Sequence, residues 1–185
     1  MFWASSCLLP LDGDGRLSQV PIWFGRTFEF SFSLDLLPNL RARLRGTPAR
    51  LEETFRRRPH EILTAKPQGK WSAQEHAGHL LDLESLWLAR LEDYAAARGE
   101  LTRADLTNRK TDEANHNARP LEPLLAEFRI ARATLLKRVD ELDASLFTRT
   151  LPHPRLKTPM RLVDHLYFVA EHDDHHLARI WELIE

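Results

Sequence analysis

The sequence has few of the features that mark exported, membrane-spanning or nucleic-acid-binding proteins. Cys7 is its single cysteine, so no internal disulfide can form and nothing requires an oxidising compartment. No apolar run approaches the roughly 20 residues that cross a bilayer, and the first basic residue, Arg16, comes too late for a secretory signal. We therefore expect a cytoplasmic protein that does not insert into membranes.

An excess of basic charge is also missing. The 26 lysines and arginines are balanced by 27 aspartates and glutamates, and the resulting net charge of −1 argues against a nucleic-acid partner. The one basic patch, residues 41–58, holds seven arginines and two glutamates, and a solvated helix face explains it best. Gly-rich phosphate loops, nucleophile-elbow serines and Cys–His pairs are absent too, so nucleotide hydrolysis and covalent catalysis have no support.

The composition is that of an ordinary globular protein, with 43% hydrophobic and 29% charged residues. Residues 1–33 form an irregular leader in which proline and glycine interrupt apolar side chains. Over residues 28–34 apolar and polar side chains alternate, which predicts a short extended segment with one buried side. The aromatic leader should pack on the domain or on a partner. From residue 34 the periodicity is helical, so we predict one helical domain over residues 34–185.

Caps and breakers divide this domain into helices. Ser72 and Glu75 stand at capping-box spacing, so a helix should begin at Ser72. Gly46 should end the first stretch, after which Thr47 and Pro48 offer a new cap and first turn, although one kinked helix would also fit. The four long helical segments, predicted without strands between them, span residues 34–58, divided or kinked at Gly46, and residues 72–98, 120–142 and 158–185.

Four amphipathic helices can bury their apolar stripes only against one another, which predicts an all-α four-helix bundle. The connection over residues 99–119 is much longer than the roughly 2 to 8 residues that join adjacent helices. It therefore permits a crossover rather than a hairpin.

Two histidines on the fourth predicted helix carry the main chemical signal. His172 and His176 are four residues apart, so on a helix they share a face and can converge on one cation. A firmly held divalent metal needs a third ligand, and the second helix offers His76 and His79, between which periodicity does not choose. Three neutral imidazoles would leave coordination positions open for water or substrate, as in a reactive site.

The segments around these histidines resemble the DinB-like superfamily, which includes the YfiT-like metal-dependent hydrolases. The resemblance extends over residues 34–184 and is carried by WSAQEHAGHL at 71–80, FVAEHDDHHLARI at 168–180, LRGTP at 44–48 and HPRL at 153–156. It implies a four-helix bundle of DinB/YfiT type with a long crossover between the second and third helices. It also implies that the metal ligands are His79, His172 and His176.

The same resemblance implies a homodimer and zinc or nickel as the usual metal, although three imidazoles would also accept iron or manganese. Some members transfer low-molecular-weight thiols. We therefore expect a metal-dependent hydrolase or small-thiol transferase that acts on a small molecule in a pocket at one end of the bundle. The alternative is a non-catalytic, stress-associated binding or dimerisation bundle, in which the histidines hold a structural metal or none.

Roles for the remaining histidines and acids are predicted from their positions. His76 should pack against Trp71, because the two occupy hydrophobic-staple positions, and His165 could be a core residue or a partner of the metal site. The other histidines are predicted at the surface or in loops, namely His60, His116, His153 and His175, although His116 and His153 could reach the rim of the pocket. Carboxylates that could orient a metal-bound imidazole are Asp82, Glu171, Asp173 and Asp174, although each is better explained as an ordinary surface charge.

Overall fold

A computed structural model describes residues 20–67 and 69–185 of the chain. Four long helices make up most of this described part, together with two short helices, several 3-10 turns and one small sheet. In chain order the helices and strands are α1 (Leu37–Phe55), α2 (His60–Thr64), α3 (Ala73–Ala95), α4 (Arg109–Glu113), α5 (Leu121–Glu141), β1 (Thr150–Pro152), β2 (Pro159–Arg161) and α6 (Leu162–Ile184). The predicted all-α four-helix bundle is confirmed, with α1, α3, α5 and α6 as its long helices.

The long helices form two pairs of opposite corners. α1 and α3 each pack against both α5 and α6, so α1 lies diagonally across the bundle from α3, and α5 lies diagonally across from α6. None of the helices in the described ranges combines the length and the apolar content that a bilayer crossing requires.

The buried apolar side chains separate into two clusters along the bundle. One cluster includes Leu44, Trp87 and Val169, and the other includes Leu51 and Leu80. Between the two clusters lies a polar layer to which each long helix contributes a buried side chain, namely Thr47, Glu84, Arg132 and Asp173. On α6, His172 and His176 lie between Ala170 of the first cluster and Leu177 of the second, and the pocket at one end of the bundle stays a prediction.

The start of α3 follows from its capping box. The Ser72 hydroxyl accepts a hydrogen bond from the Glu75 amide at 3.1 Å, and the Glu75 carboxylate accepts one from the Ser72 amide at 2.9 Å. These bonds satisfy two backbone donors that would otherwise lack partners at the helix N-terminus. The predicted start is confirmed, and the helix ends at Ala95, three residues before the predicted Arg98.

The predicted break at Gly46 is wrong, because α1 continues through Gly46 and Pro48. Proline has no N–H, so within a helix it leaves the carbonyl four residues earlier without its donor. That carbonyl belongs to Leu44, and it accepts instead from Arg132 Nη1 on α5 at 3.1 Å. A side chain 88 residues away therefore replaces the missing backbone donor, and the single-helix alternative is correct.

The fourth long helix begins later than predicted. Pro159–Arg161 pair antiparallel with Thr150–Pro152, so this segment is a strand, and the expectation that no strands join the helices is wrong here. The Arg161 amide donates to Asp164 Oδ2 at 2.8 Å. That bond caps the first turn and explains why the helix starts at Leu162.

Part of the leader packs on the bundle. Residues 1–19, including Cys7, lie outside the described residues. Over residues 28–34 half-buried and exposed side chains alternate, as the pattern predicts, and the half-buried ones pack on the first apolar cluster. Within the described chain this segment joins no sheet.

Candidate metal centre

Three histidines of α3 and α6 lie close together. His79 projects from α3, His172 and His176 project from α6, and one ring nitrogen of each lies within 4.8 Å of the other two. The Nε2 atoms of His172 and His176 are 3.1 Å apart, close to the roughly 3.3 Å expected for two nitrogens on one tetrahedral zinc ion. The structure thus brings together the three residues that the sequence and the family resemblance singled out.

Hydrogen bonds determine which ring nitrogen of His79 is available to bind a metal ion. Its Nδ1 lies 3.0 Å from Thr111 Oγ1, and that hydroxyl donates to Asp82 Oδ2 at 2.9 Å. Because the Thr111 proton is used on Asp82, the Nδ1–H of His79 donates to Thr111 and its Nε2 keeps the lone pair. His116 Nε2 donates to the same Asp82 oxygen at 2.9 Å. Metal-binding imidazoles are usually oriented by such a carboxylate, which here acts through Thr111.

Burial keeps the three imidazoles neutral. It lowers the pKa of His79 to about 4 and the pKa values of His172 and His176 well below their usual range, because the charged ring would lose its hydration. Neutral imidazole is the form that binds a metal ion. Three neutral nitrogen donors therefore fit a divalent transition metal.

His76 lies behind His176 and does not join the three-histidine cluster. Its ring meets Trp71 edge to face at a centroid distance of 5.5 Å, which confirms the predicted packing. Its Nδ1 also lies 2.8 Å from His176 Nδ1, a contact that the sequence did not predict. Because burial lowers the pKa of His76 to about 3, one neutral ring donates to the other, and His76 orients His176.

A cavity of about 390 Å³ opens beside the three histidines, and a space of this size suits a small molecule. Trp23 of the N-terminal segment covers one side, meeting His172 edge to face at 5.0 Å. Aromatic and aliphatic side chains form most of the walls, and basic groups gather at the far end. The residues that line the cavity include Phe24, Trp87, Arg90, His153, Arg155 and Phe168.

A family model for the DinB superfamily matches residues 43–180, well over half of the chain. The chain belongs to the DinB superfamily. YfiT from Bacillus subtilis, "a probable metal-dependent hydrolase with an unusual four-helix bundle topology", has the same fold, with a TM-score of 0.75 at 19% identity. The match covers 85% of this chain and 91% of YfiT. No curated protein matches the sequence.

One of the four acidic candidates reaches the histidine cluster of this DinB protein. Asp82 does so through Thr111, as described above. Glu171 and Asp174 both accept hydrogen bonds from Arg43 of α1, and Asp173 points into the core. The basic patch of α1 is thus paired in part with carboxylates of α6.

Two histidines that were predicted at the surface or in loops lie in loops but are buried. His116 is 1% exposed and His153 is 2% exposed, because each has a polar partner in the interior. His116 bonds to Asp82, and His153 Nε2 accepts from Arg90 Nη1 at 3.2 Å. The loop option of the prediction is therefore right for both and the surface option wrong, and His153 lines the cavity, as the rim alternative expected.

The remaining histidines play no part in the cluster. His60 is exposed and His175 is half-buried. His165 is fully buried against Trp87, so it is the core residue that was one of its two predicted roles. Thr111 was missed altogether, since residues 99–119 lack the periodicity that would indicate which side chains point inward.

Proposed function

We propose that this DinB protein is a metal-dependent hydrolase of a small molecule, with a divalent transition metal held by His79, His172 and His176. The observation that carries the proposal is the convergence of three neutral imidazoles, one with its tautomer fixed by Thr111, on the wall of a cavity. YfiT, which shares the fold, is itself a probable metal-dependent hydrolase. Zinc or nickel is expected, and iron or manganese is compatible with the same donors.

A metal in this position supplies a Lewis acid that activates water or polarises a carbonyl group. The chain's own residues hold and shield the site. Thr111 and His76 orient His79 and His176 from behind, while Trp23 covers His172 and limits the access of bulk water. The homodimer and the cytoplasmic location stay predictions.

A second candidate, transfer of a low-molecular-weight thiol, is favoured by the basic end of the cavity. A charged thiol cofactor needs cationic or hydrogen-bonding groups, and Arg90, His153 and Arg155 line the cavity. A hydrolase would instead place a carboxylate beside the reacting water. Among the described residues one carboxylate lines this cavity, that of Asp105, and its oxygens already accept hydrogen bonds from the Thr107 hydroxyl and amide and from the Arg109 amide.

The test is to purify the chain without a histidine tag, measure its metal content, and assay ester hydrolysis and thiol conjugation in parallel. We expect about one transition-metal ion per chain, and turnover that is lost on chelation and restored by the metal. Hydrolysis without thiol dependence supports the first candidate, and conjugation supports the second. Stoichiometric metal with neither activity favours the non-catalytic bundle, and absence of bound metal contradicts the proposal.

Gly78 should be required for the support of His79. A Cβ atom at Gly78 would collide with the ring of His116, which holds Asp82, so Gly78→Ala should weaken metal binding by about ten- to a hundred-fold. Competition with a chelating dye would measure this affinity.

Gly46→Ala is the matched control. Gly46 also lies inside a long helix, but nothing stands within 4 Å of its added Cβ. This variant should bind metal normally and gain about 0.5–1 kcal/mol of stability. Equal metal affinity in the two variants would show that His116 does not support the site.

A further inference from the structure

Two guanidinium groups lie at the end of the cavity remote from His79. Arg90 of α3 is 1% exposed, and its side chain lies over Trp87 at 5.4 Å. Arg155, in the turn between β1 and β2, lies over the rings of Phe24 at 5.4 Å and Phe168 at 5.7 Å. Both line the cavity.

Neither arginine has a carboxylate partner within the described residues. Burial lowers the pKa of Arg90 to about 10, and the charge of Arg155 contributes to that shift; burial alone lowers the pKa of Arg155. Asp93 opposes the shift of Arg90, but its carboxylate accepts from the Thr102 amide at 2.5 Å. Arg90 is buried and Arg155 is half-buried, and charge without a partner is unfavourable away from water, so an anion from outside the chain would relieve it.

Hydrogen-bond donors at this end of the cavity also lack partners. Arg155 Nη2 and Trp87 Nε1 are buried without an acceptor among the described residues. Arg90 Nη1 is bonded to His153 Nε2, and Arg90 Nε donates to the Thr102 carbonyl at 2.9 Å. Guanidinium donors pair best with ionised oxygens, so this end of the cavity matches a carboxylate or a comparable oxyanion.

The walls between the two ends are aromatic. Trp87 meets the His172 ring at 5.6 Å on one side and the Arg90 guanidinium at 5.4 Å on the other. His79 and Arg90 are eleven residues apart on α3, which places their Cα atoms roughly 16 Å apart along the helix axis. The cavity therefore joins the histidine cluster to the basic end past an apolar middle.

We propose that Arg155, together with Arg90 and Trp87, binds the oxyanion of an organic acid whose apolar body lies along Trp87 and Phe168 and whose reacting group reaches the histidine cluster. The proposal rests on the proposed function, because it names the substrate class of the same cavity. A carboxylate is the oxyanion to which we commit, and phosphate is a separate outcome of the test.

Arg155 is the residue to alter. Arg90 also ties the crossover to α3 through Thr102, so its loss would disturb the fold, whereas Arg155 makes no side-chain hydrogen bond or ion pair within the described residues. Arg103 is the matched control, since it lines the same cavity but is paired with Glu100 at 3.0 Å and exposed.

The experiment is calorimetric titration of the full chain with 4-phenylbutyrate, with its neutral amide, and with inorganic phosphate. The acid should bind about ten- to a hundred-fold more tightly than the amide. Arg155→Gln should remove this preference, Arg155→Lys should retain part of it, and Arg103→Gln should leave it unchanged. Thermal unfolding of each variant confirms that the fold is intact.

Titration before and after metal removal separates this proposal from the metal site. A preference that persists without metal and disappears in Arg155→Gln supports the oxyanion site, even if the metal proposal fails. A preference that needs the metal and survives Arg155→Gln shows that the acid binds the metal instead, and overturns the oxyanion site. Equal binding of acid and amide, or no binding of the acid, also overturns it, and tighter binding of phosphate alone reassigns the oxyanion.

Discussion

Replacing His79, His172 and His176 together with alanine should abolish metal binding, whereas the unaltered chain should carry about one ion per chain. The three neutral rings are the donor cluster that the described residues offer, so no other group should hold the ion. Added zinc should also raise the unfolding temperature of the unaltered chain, since a ligand at 1,000 times its Kd stabilises the folded state by about 4 kcal/mol. Elemental analysis and thermal unfolding measure the two effects.

His175→Ala is the control for this variant. His175 lies on α6 between two of the proposed ligands, and its ring meets those of His176 at 5.1 Å and Trp23 at 5.5 Å, but it offers no nitrogen to the cluster. The His175→Ala variant should therefore keep both the bound metal and the stabilisation by zinc. Stoichiometric metal in the triple variant would show that the ligands have been misassigned.

The sequence predicted the histidine cluster better than its surroundings. Spacing alone placed His172 and His176 on one face, because a helix repeats every 3.6 residues. Spacing could not separate His79 from His76, since both project inward and both contact the cluster; the family resemblance made that choice. Thr111 and His116 lie in a connection without periodicity, where nothing local reveals which side chains are buried.

The same limit explains the error at Gly46. Gly, Thr and Pro in succession are the local signature of a helix end followed by a new start. In the structure α1 continues because Arg132, distant in sequence, supplies the donor that Pro48 lacks. Helix propensity is a weak preference that tertiary contacts override, and such a contact leaves no trace in the local pattern.

Arg132 should be the most important single residue for stability. It belongs to α5 and, besides the Leu44 carbonyl of α1, it contacts Glu84 of α3 and Asp173 of α6, so it joins all four long helices. Arg132, Glu84 and Asp173 are at most 4% exposed. Burial raises the pKa of Glu84 to about 7 even though Arg132 opposes the shift, so this layer is poorly solvated.

Arg132→Leu should therefore lower the free energy of unfolding by about 3–5 kcal/mol, because it leaves two carboxyl groups buried without their cation. It also leaves the Leu44 carbonyl without a donor. Urea denaturation followed by far-UV circular dichroism measures the change. Removing the carboxyl groups as well, in Glu84→Leu/Arg132→Leu/Asp173→Leu, should recover much of the loss, since an apolar layer can replace a buried ion-pair cluster at little cost.

Arg129→Leu is the matched control, because Arg129 lies one turn earlier on α5 and pairs with Glu52 at the exposed surface. An exposed ion pair contributes about 0–1 kcal/mol, so this variant should unfold almost as the unaltered chain does. If Arg132→Leu proved equally mild, the buried ion pairs would not hold the helices together.

The same substitution should also affect the proposed metal site. Asp173, which pairs with Arg132, directly follows His172 on α6, so repacking around Asp173 should shift His172. Metal affinity should therefore fall in Arg132→Leu but not in Arg129→Leu.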